Sequence, residues 1–202
     1  MKALTLNAKP RAVSHSLLAA LVIGCIYAFC TESAYANNST YVKNRTFAKS
    51  NVTPINVQAA LIKNFTHLIK WPESHRRDNS TTFNICIYNS SSLAKQFRDI
   101  FTGKVIKGKK ANIININSED LSQCDLAYVV PSSGESFEPI LKSAGESGVL
   151  TVSSEKGYGK MGVHINFFES GDNVAFELNK NTLDSAGFQV STQLFRYAKI
   201  VQ

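Results

Sequence analysis

The sequence predicts an α/β fold: a mostly parallel sheet with helices on both faces and a C-terminal antiparallel β-hairpin. Short apolar runs rich in β-branched and aromatic residues alternate with segments of helical periodicity, which is typical of right-handed strand–helix–strand crossovers. The last two apolar runs are separated only by residues 169–173. This link is too short for the crossover that parallel strands require, and it therefore predicts that the two strands form an antiparallel hairpin.

Residues 1–36 have the layout of a cleaved secretory signal. Basic residues precede an apolar run at 17–30, and the small residues Ala34 and Ala36 stand before Asn37. An alternative is lipidation at Cys25, which follows a loose lipoprotein cleavage box at 21–24. The apolar residues after Cys25 would make an unusual start for a mature protein, so we favour the cleaved signal.

The rest of the chain is long enough for one well-packed domain. Residues 37–52 are polar and lack periodicity, which predicts a flexible arm, and 53–202 are expected to form a single α/β domain. The formal charge of the whole chain is +7, part of it in the leader. Outside the cytosol, a moderate positive charge favours acidic partner surfaces or anionic lipid headgroups over nucleic acid.

The first predicted helix begins with Thr53 as N-cap and Pro54 at its first position, and Pro72 ends it after Trp71. Its apolar stripe consists of Leu61, Ile62, Phe65, Leu68 and Ile69. Trp71 is either a packing lid over the helix end or part of a partner surface with the basic face of the helix. The candidate partner-binding residues are Lys63, His67, Lys70 and Trp71.

Four parallel strands follow, and then the hairpin. The predicted parallel strands are 83–88, 111–116, 126–130 and 149–153, with helices at 93–101 and 135–144, and the hairpin strands are 163–168 and 174–178. Asn179 is expected to cap a short helix that ends at Ala186. Ser191 is expected to cap a last helix, with Leu194, Ala198 and Val201 on one face.

Two cysteines, Cys86 and Cys124, remain after the cleaved signal. In an exported domain with two thiols an internal disulfide is the default. A catalytic redox pair is more often close in sequence, as in Cys-x-x-Cys, so the spacing favours a structural role. A reducible switch remains open if the bond is exposed or strained.

The remaining motifs indicate no enzyme, no cofactor and no metal. The G-x-G-x-x-G string at 157–162 leads into a strand, whereas a dinucleotide fingerprint opens a helix. His67, His75 and His164 have no ligand-type residues at metal-binding spacing. No serine has an identifiable base, so an exported hydrolase is unsupported.

A small-ligand crevice is the second functional hypothesis. Open α/β sheets bind ligands beyond the carboxyl ends of their strands, where several polar residues are predicted to lie. The candidate ligand-binding residues are Asn89, Ser90, Ser132, Ser133, Ser153 and Ser154.

Ordered segments of the chain, from about residue 57 to 201, resemble the YfiR family. These are residues 58–65 and 69–72, 83–87, 103–105, 124–126, 148–153, 162–167, 176–179 and 186–194. The strongest match consists of Gly148-Val149-Leu150-Thr151-Val152-Ser153, Gly162-Val163-His164-Ile165-Asn166-Phe167 and Phe176-Glu177-Leu178-Asn179.

The resemblance implies a periplasmic, non-enzymatic regulator with a mixed α/β fold, often dimeric. The family's namesake holds an inner-membrane diguanylate cyclase inactive and thereby controls cyclic-di-GMP. Cys86 and Cys124 match a family disulfide by position, whereas a second cysteine pair of some members has no counterpart. The leading hypothesis is therefore a regulator that binds and restrains a diguanylate cyclase-like membrane protein, with a homodimer as an implied form.

Overall fold

The computed structural model describes residues 54–73, 75, 77, 79–130 and 136–202. The predicted signal peptide, the alternative lipidation at Cys25 and the flexible arm lie outside the described residues, as do the cap Thr53 and the ligand candidates Ser132 and Ser133. None of the helices in the described part has the length and apolarity needed to span a bilayer.

Five helices and ten strands make up the described part. In chain order they are α1 (Pro54–Leu68), β1 (Ile69–Lys70), β2 (Thr82–Tyr88), α2 (Ser91–Phe101), β3 (Val105–Ile106), β4 (Lys109–Ile116), β5 (Leu126–Val129), α3 (Glu138–Ser147), β6 (Leu150–Ser153), β7 (Ile165–Ser170), β8 (Asn173–Asn179), α4 (Lys180–Ser185), β9 (Gln189–Val190), α5 (Thr192–Phe195) and β10 (Lys199–Val201).

Eight strands form one sheet, in the order β10-β8-β7-β6-β5-β2-β4-β3. Strands β4, β2, β5, β6 and β7 are parallel neighbours, so five consecutive strands of the sheet share one direction. Strand β8 returns antiparallel to β7, and β3 is antiparallel to β4. The prediction of a mostly parallel sheet with a C-terminal antiparallel hairpin is confirmed.

Alternation along the central strands assigns their side chains to two cores. Phe83, Ile85 and Ile87 of β2 belong to the core that includes residues of α1 and α2. Cys86 and Tyr88 point to the opposite face and share a second core with residues of α3. Because successive side chains of a strand point to opposite faces, helices must cover both sides of the sheet, as predicted.

A disulfide joins Cys86 in β2 to Cys124, which lies just before β5. The two Cα atoms are 5.8 Å apart and both side chains are buried in the second core. Since β2 and β5 are adjacent parallel strands, the bond fixes the neighbour relation at the centre of the sheet.

The prediction of a last helix that reaches Val201 is wrong. Helix α5 ends at Phe195, and Lys199–Val201 form the edge strand β10, parallel to β8. Three apolar positions are too few to distinguish helix from strand, so tertiary pairing decides. Val201 is buried in the strand conformation, and the Lys199 ammonium lies 2.9 Å from Oε1 of Glu177 on β8.

The first helix is also shorter than its apolar stripe predicts. It ends at Leu68, and Ile69 and Lys70 pair antiparallel with Val190 and Gln189 as the two-stranded ribbon of β1 and β9. Ile69 is buried in either conformation, so hydrophobic periodicity alone could not locate the end of the helix. Helix α3 also differs from its predicted range of 135–144: it begins at Glu138 and ends at Ser147, with Gly148 in the left-handed conformation as its C-cap.

Candidate functional site

A buried polar cluster surrounds Asp125 at the amino-terminal edge of the parallel sheet. Asp125 immediately precedes β5 and is 1% exposed. Its Oδ1 lies 2.8 Å from Nε2 of His75. Its Oδ2 accepts hydrogen bonds from the backbone N–H of Asn84 at 2.6 Å and from Nε of Arg77 at 3.2 Å. A buried carboxylate is tolerated when it is paired and hydrogen-bonded in this way.

The backbone of Asp125 extends the cluster across three strands. Its carbonyl accepts from the indole N–H of Trp71 at 3.0 Å and from the N–H of Leu150, the first residue of β6, at 3.2 Å. Its own N–H donates to the carbonyl of Asn84 in β2 at 2.9 Å. Asp125 therefore joins the segment that follows β1 to β2, β5 and β6.

The side chain of Trp71 packs against this cluster and is itself buried. Its ring makes edge contacts with Phe83 and Phe188 at centroid distances of 5.7 and 5.8 Å, and the ammonium of Lys107 lies 4.9 Å from its centroid. The side chain is 8% exposed. A ring so enclosed fits the packing-lid alternative, with little of its surface available to a partner.

The other candidate partner residues lie on the same segment. His67 and Lys70 are exposed, and Lys63 is half-buried on α1. A partner surface at this end of α1 would therefore consist mainly of His67 and Lys70, because the adjacent Trp71 is buried. The assignment of these residues to a partner stays a prediction.

The opposite, carboxyl-terminal edge of the sheet contains an open cleft of about 480 Å³. It is lined by Pro54, Ile55, Gln58, Ser90, Ser92, Leu93, Gln96, Tyr128, Val130, Ser154 and Glu155. The hydroxyl of Tyr128 donates to Oε1 of Gln58 at 2.7 Å within this lining. The volume falls in the range of small-molecule sites, and the position is the one expected of ligands in open α/β sheets.

Of the predicted crevice residues, the structure brings Ser90 and Ser154 together in this cleft. Ser90 also caps α2, since its Oγ accepts from the N–H of Leu93. Ser153 is buried and donates to the carbonyl of Val129 at 2.9 Å, and the N–H of Asn89 donates to the carbonyl of Ile116. Neither Ser153 nor Asn89 is among the residues that line the cleft.

Tyr128 is a hydrogen-bonding group and not an acid or base near neutral pH. Burial raises the pKa of its hydroxyl to about 12, the negative charge of Glu155 adds to this, and a hydrogen bond with Ser154 opposes it. The phenol therefore stays protonated and can orient a polar ligand without exchanging a proton with it.

His164 is a buried, uncharged histidine. Desolvation lowers its pKa to about 4, and a hydrogen bond to the Thr182 backbone partly opposes the shift. Its Nδ1 lies 3.0 Å from the N–H of Thr151, so Nδ1 accepts and Nε2 bears the proton of the neutral ring. This arrangement matches a histidine that is satisfied by hydrogen bonds within the fold.

The Asp125 cluster was missed by reasoning from the sequence. His75 and Arg77 stand 50 and 48 positions before Asp125, so no local spacing connects them. The available signal was an acidic residue between Cys124 and an apolar strand, because a carboxylate so placed needs buried partners.

The sequence profile of a known family covers nearly all of the described helices and strands. The profile described as YfiR/HmsC-like matches residues 55–199, from the first turn of α1 to the start of β10. The chain belongs to the YfiR/HmsC-like family. Members of this family are periplasmic regulators and are not catalytic domains. No curated protein matches the sequence.

Two solved structures share the fold of this YfiR/HmsC-like chain. One is the ABC domain from Streptococcus pneumonia in complex with L-Trp, with a TM-score of 0.51 and 14% identity. The other is a conserved domain protein from Vibrio cholerae, with a TM-score of 0.54 and 10% identity. Each alignment covers 74% of this chain and 60% of the other. At such identities the likeness concerns the fold alone.

The free energy of unfolding of the YfiR/HmsC-like chain should depend strongly on the carboxylate of Asp125. We expect Asp125→Asn to lower the free energy of unfolding by about 3 kcal/mol, because it leaves His75 and Arg77 without their buried partner. Asp172→Asn, in the exposed turn of the hairpin, is the matched control and should change it by less than about 0.5 kcal/mol. Urea denaturation measures both, and equal stabilities would contradict the assignment.

His164 should make stability depend on pH. Its folded pKa lies below the usual 6.5, so the unfolded chain binds this proton first as the pH falls. The free energy of unfolding should therefore decrease between about pH 6.5 and pH 4, by up to about 3 kcal/mol from this group. His164→Gln should flatten the curve over that window. A variant with the same slope as the wild type would show that His164 is not responsible.

Proposed function

We propose that this protein is a periplasmic regulator that binds a membrane signalling protein, a diguanylate cyclase, and holds it in its inactive state. Membership of the YfiR/HmsC-like family is the observation that supports this most directly. The buried Cys86–Cys124 disulfide supports an oxidising compartment. The effect of such a regulator would be to lower cyclic-di-GMP in the cytosol, and the family resemblance implies a homodimer.

Such a regulator must bind the inactive state of its partner more tightly than the active one. Moving a partner from 1% to 99% inactive requires about a 10⁴-fold preference, or about 5.5 kcal/mol. The preference must come from contacts that only one state offers. A preformed, rigid surface favours this, because less conformational entropy is then lost on binding.

The end of α1 is the surface we assign to the partner. His67 and Lys70 are exposed there, and the ribbon of β1 and β9, the buried Trp71 and the Asp125 cluster beneath hold the segment in place. Basic side chains on a rigid segment suit an acidic segment of a partner, for which complementary charge increases the association rate and selects against wrong partners.

Deleting the gene tests the regulatory role. Cyclic-di-GMP should rise in the deletion strain and fall again on complementation, and the tagged exported protein should recover a membrane protein with a cyclase domain. Lys70→Glu should weaken both effects by placing a negative charge on the proposed surface. Lys142→Glu is the matched control, because Lys142 is exposed on α3, which packs on the other face of the sheet.

Two results would contradict this function. An unchanged level of cyclic-di-GMP in the deletion strain would rule out the regulatory role. Failure to capture a signalling protein from solubilised membranes would rule out the proposed partner. Equal losses with Lys70→Glu and Lys142→Glu would reject the assigned surface while leaving the regulatory role intact.

The cleft at the carboxyl-terminal edge supports a second candidate, a soluble binder of a small polar ligand. Ser90, Ser154 and the Tyr128–Gln58 pair offer hydroxyl and amide groups in a space of ligand size. The solved structure of similar fold with bound L-Trp makes an amino acid a suitable first probe. If this candidate is correct, one metabolite should raise the melting temperature of the purified protein in the absence of any membrane.

A further inference from the structure

We propose that the amino-terminal edge of the sheet contains a binding site for a small oxyanion, in a cavity directly beneath Trp71. The cavity is about 100 Å³ in volume and lies on the opposite edge of the sheet from the cleft of Ser90 and Ser154. It is lined by Trp71, His75, Phe83, Lys107, Lys109 and Asp125. The site goes beyond the proposed regulatory function and does not depend on it.

An unsatisfied histidine nitrogen is the first observation for this site. The His75 side chain is 4% exposed, and its Nε2 is engaged with Oδ1 of Asp125 at 2.8 Å. Its Nδ1 is buried and has no hydrogen-bond partner in the part of the chain that the structure describes. Leaving a buried polar atom unpaired costs about 1–3 kcal/mol, so a bound group that pairs with Nδ1 would offset this cost.

The charged side chains that line the cavity favour an anion as the ligand that pairs with Nδ1 of His75. The carboxylate of Asp125 is already matched by Arg77, whose Nε lies 3.2 Å from Oδ2. Two lysine ammonium groups also belong to the lining. That of Lys109 donates to the backbone carbonyl of Arg77 at 2.8 Å, a neutral acceptor that leaves its charge in place. Lys109 therefore brings to the lining a positive charge that its hydrogen-bonded carbonyl does not offset.

The Asp125–His75 contact suits the binding of an anion at Nδ1. Asp125 and an oxyanion both act as acceptors, so binding of the oxyanion requires a proton on each nitrogen of His75: Nε2 donates to Asp125 and Nδ1 donates to the ligand. Each hydrogen bond would then be assisted by charge, which makes it stronger than a neutral one. The ammonium of Lys109 would balance the charge of the ligand.

The size of the cavity restricts the ligand to a few atoms. A volume of about 100 Å³ is small compared with the roughly 300–1,000 Å³ of ordinary small-molecule sites. Acetate, another short carboxylate or inorganic phosphate fits this space, whereas a nucleotide does not. The aromatic rings of Trp71 and Phe83 form the apolar walls that would accept the methyl group of a short carboxylate.

Trp71 provides a local reporter for the test, because it is the only tryptophan in the chain and lines the cavity. The purified, oxidised protein is titrated with sodium acetate and, separately, with sodium phosphate at constant pH and ionic strength. We expect a saturable change in Trp71 fluorescence with at least one of the two salts. The salt that saturates identifies the ligand as a carboxylate or a phosphate.

Three variants distinguish this site from general ion effects. Lys109→Gln should raise the dissociation constant about tenfold or more, as expected for loss of a charged hydrogen-bond donor. His75→Gln should also raise the dissociation constant, because the glutamine amide can replace Nε2 as the donor to Asp125 but has no equivalent of Nδ1. Lys110→Gln removes a neighbouring exposed lysine that does not line the cavity, and it should bind like the wild type.

Any of three results would overturn the site. The first is a fluorescence response that does not saturate with either salt. The second is a Lys110→Gln variant weakened as much as Lys109→Gln, which indicates an effect of total charge. The third is unchanged binding in both Lys109→Gln and His75→Gln, which would leave an adventitious ion only.

Discussion

The buried carboxylate of Asp125 is the constraint on which the amino-terminal half of the structure depends. An ionised carboxylate is tolerated in a protein interior only when it is paired and hydrogen-bonded, so the groups that satisfy it must come to the same place. Here they come from Asn84 in β2 and from His75 and Arg77 in the segment after β1. The adjacent residue, Cys124, is bonded covalently to the same strand β2. Cys124 and Asp125 thus both link the start of β5 to β2, the first through a covalent bond and the second through hydrogen bonds.

The two edges of the sheet differ in structure. The amino-terminal edge is closed by Trp71 and held by buried hydrogen bonds, which gives the neighbouring end of α1 a fixed geometry. The carboxyl-terminal edge opens into a cleft between strand ends and α1, lined by hydroxyl and amide groups. A regulator needs a rigid surface that distinguishes two states of a partner, and a ligand binder needs a cleft. The proposed partner surface and the cleft lie at opposite ends of α1.

The sequence predicted those features that local patterns determine. The short link at 169–173 predicted the hairpin, and strand periodicity located β2, β5 and β6 within a residue or two. The Asp125 cluster could not be predicted in this way, because its members meet only after the sheet has formed. The prediction for the last segment was wrong for a related reason. The spacing of Leu194, Ala198 and Val201 suits a helix, but pairing with β8 makes residues 199–201 a strand. Of the crevice candidates, Ser90 and Ser154 line the cleft, whereas the Ser153 hydroxyl donates to the carbonyl of Val129. Their assignment to a ligand stays a prediction.

Asp125 and the Cys86–Cys124 disulfide together hold the start of β5 against β2. Amide hydrogen exchange on the oxidised and the reduced protein tests this joint role most directly. The N–H groups of Asn84 and Leu150, which donate to the carboxylate and the carbonyl of Asp125, should exchange slowly in the oxidised protein. Reduction should accelerate both while the amides of the β7–β8 hairpin remain protected. Unchanged exchange at Asn84 and Leu150 after reduction would contradict the claim.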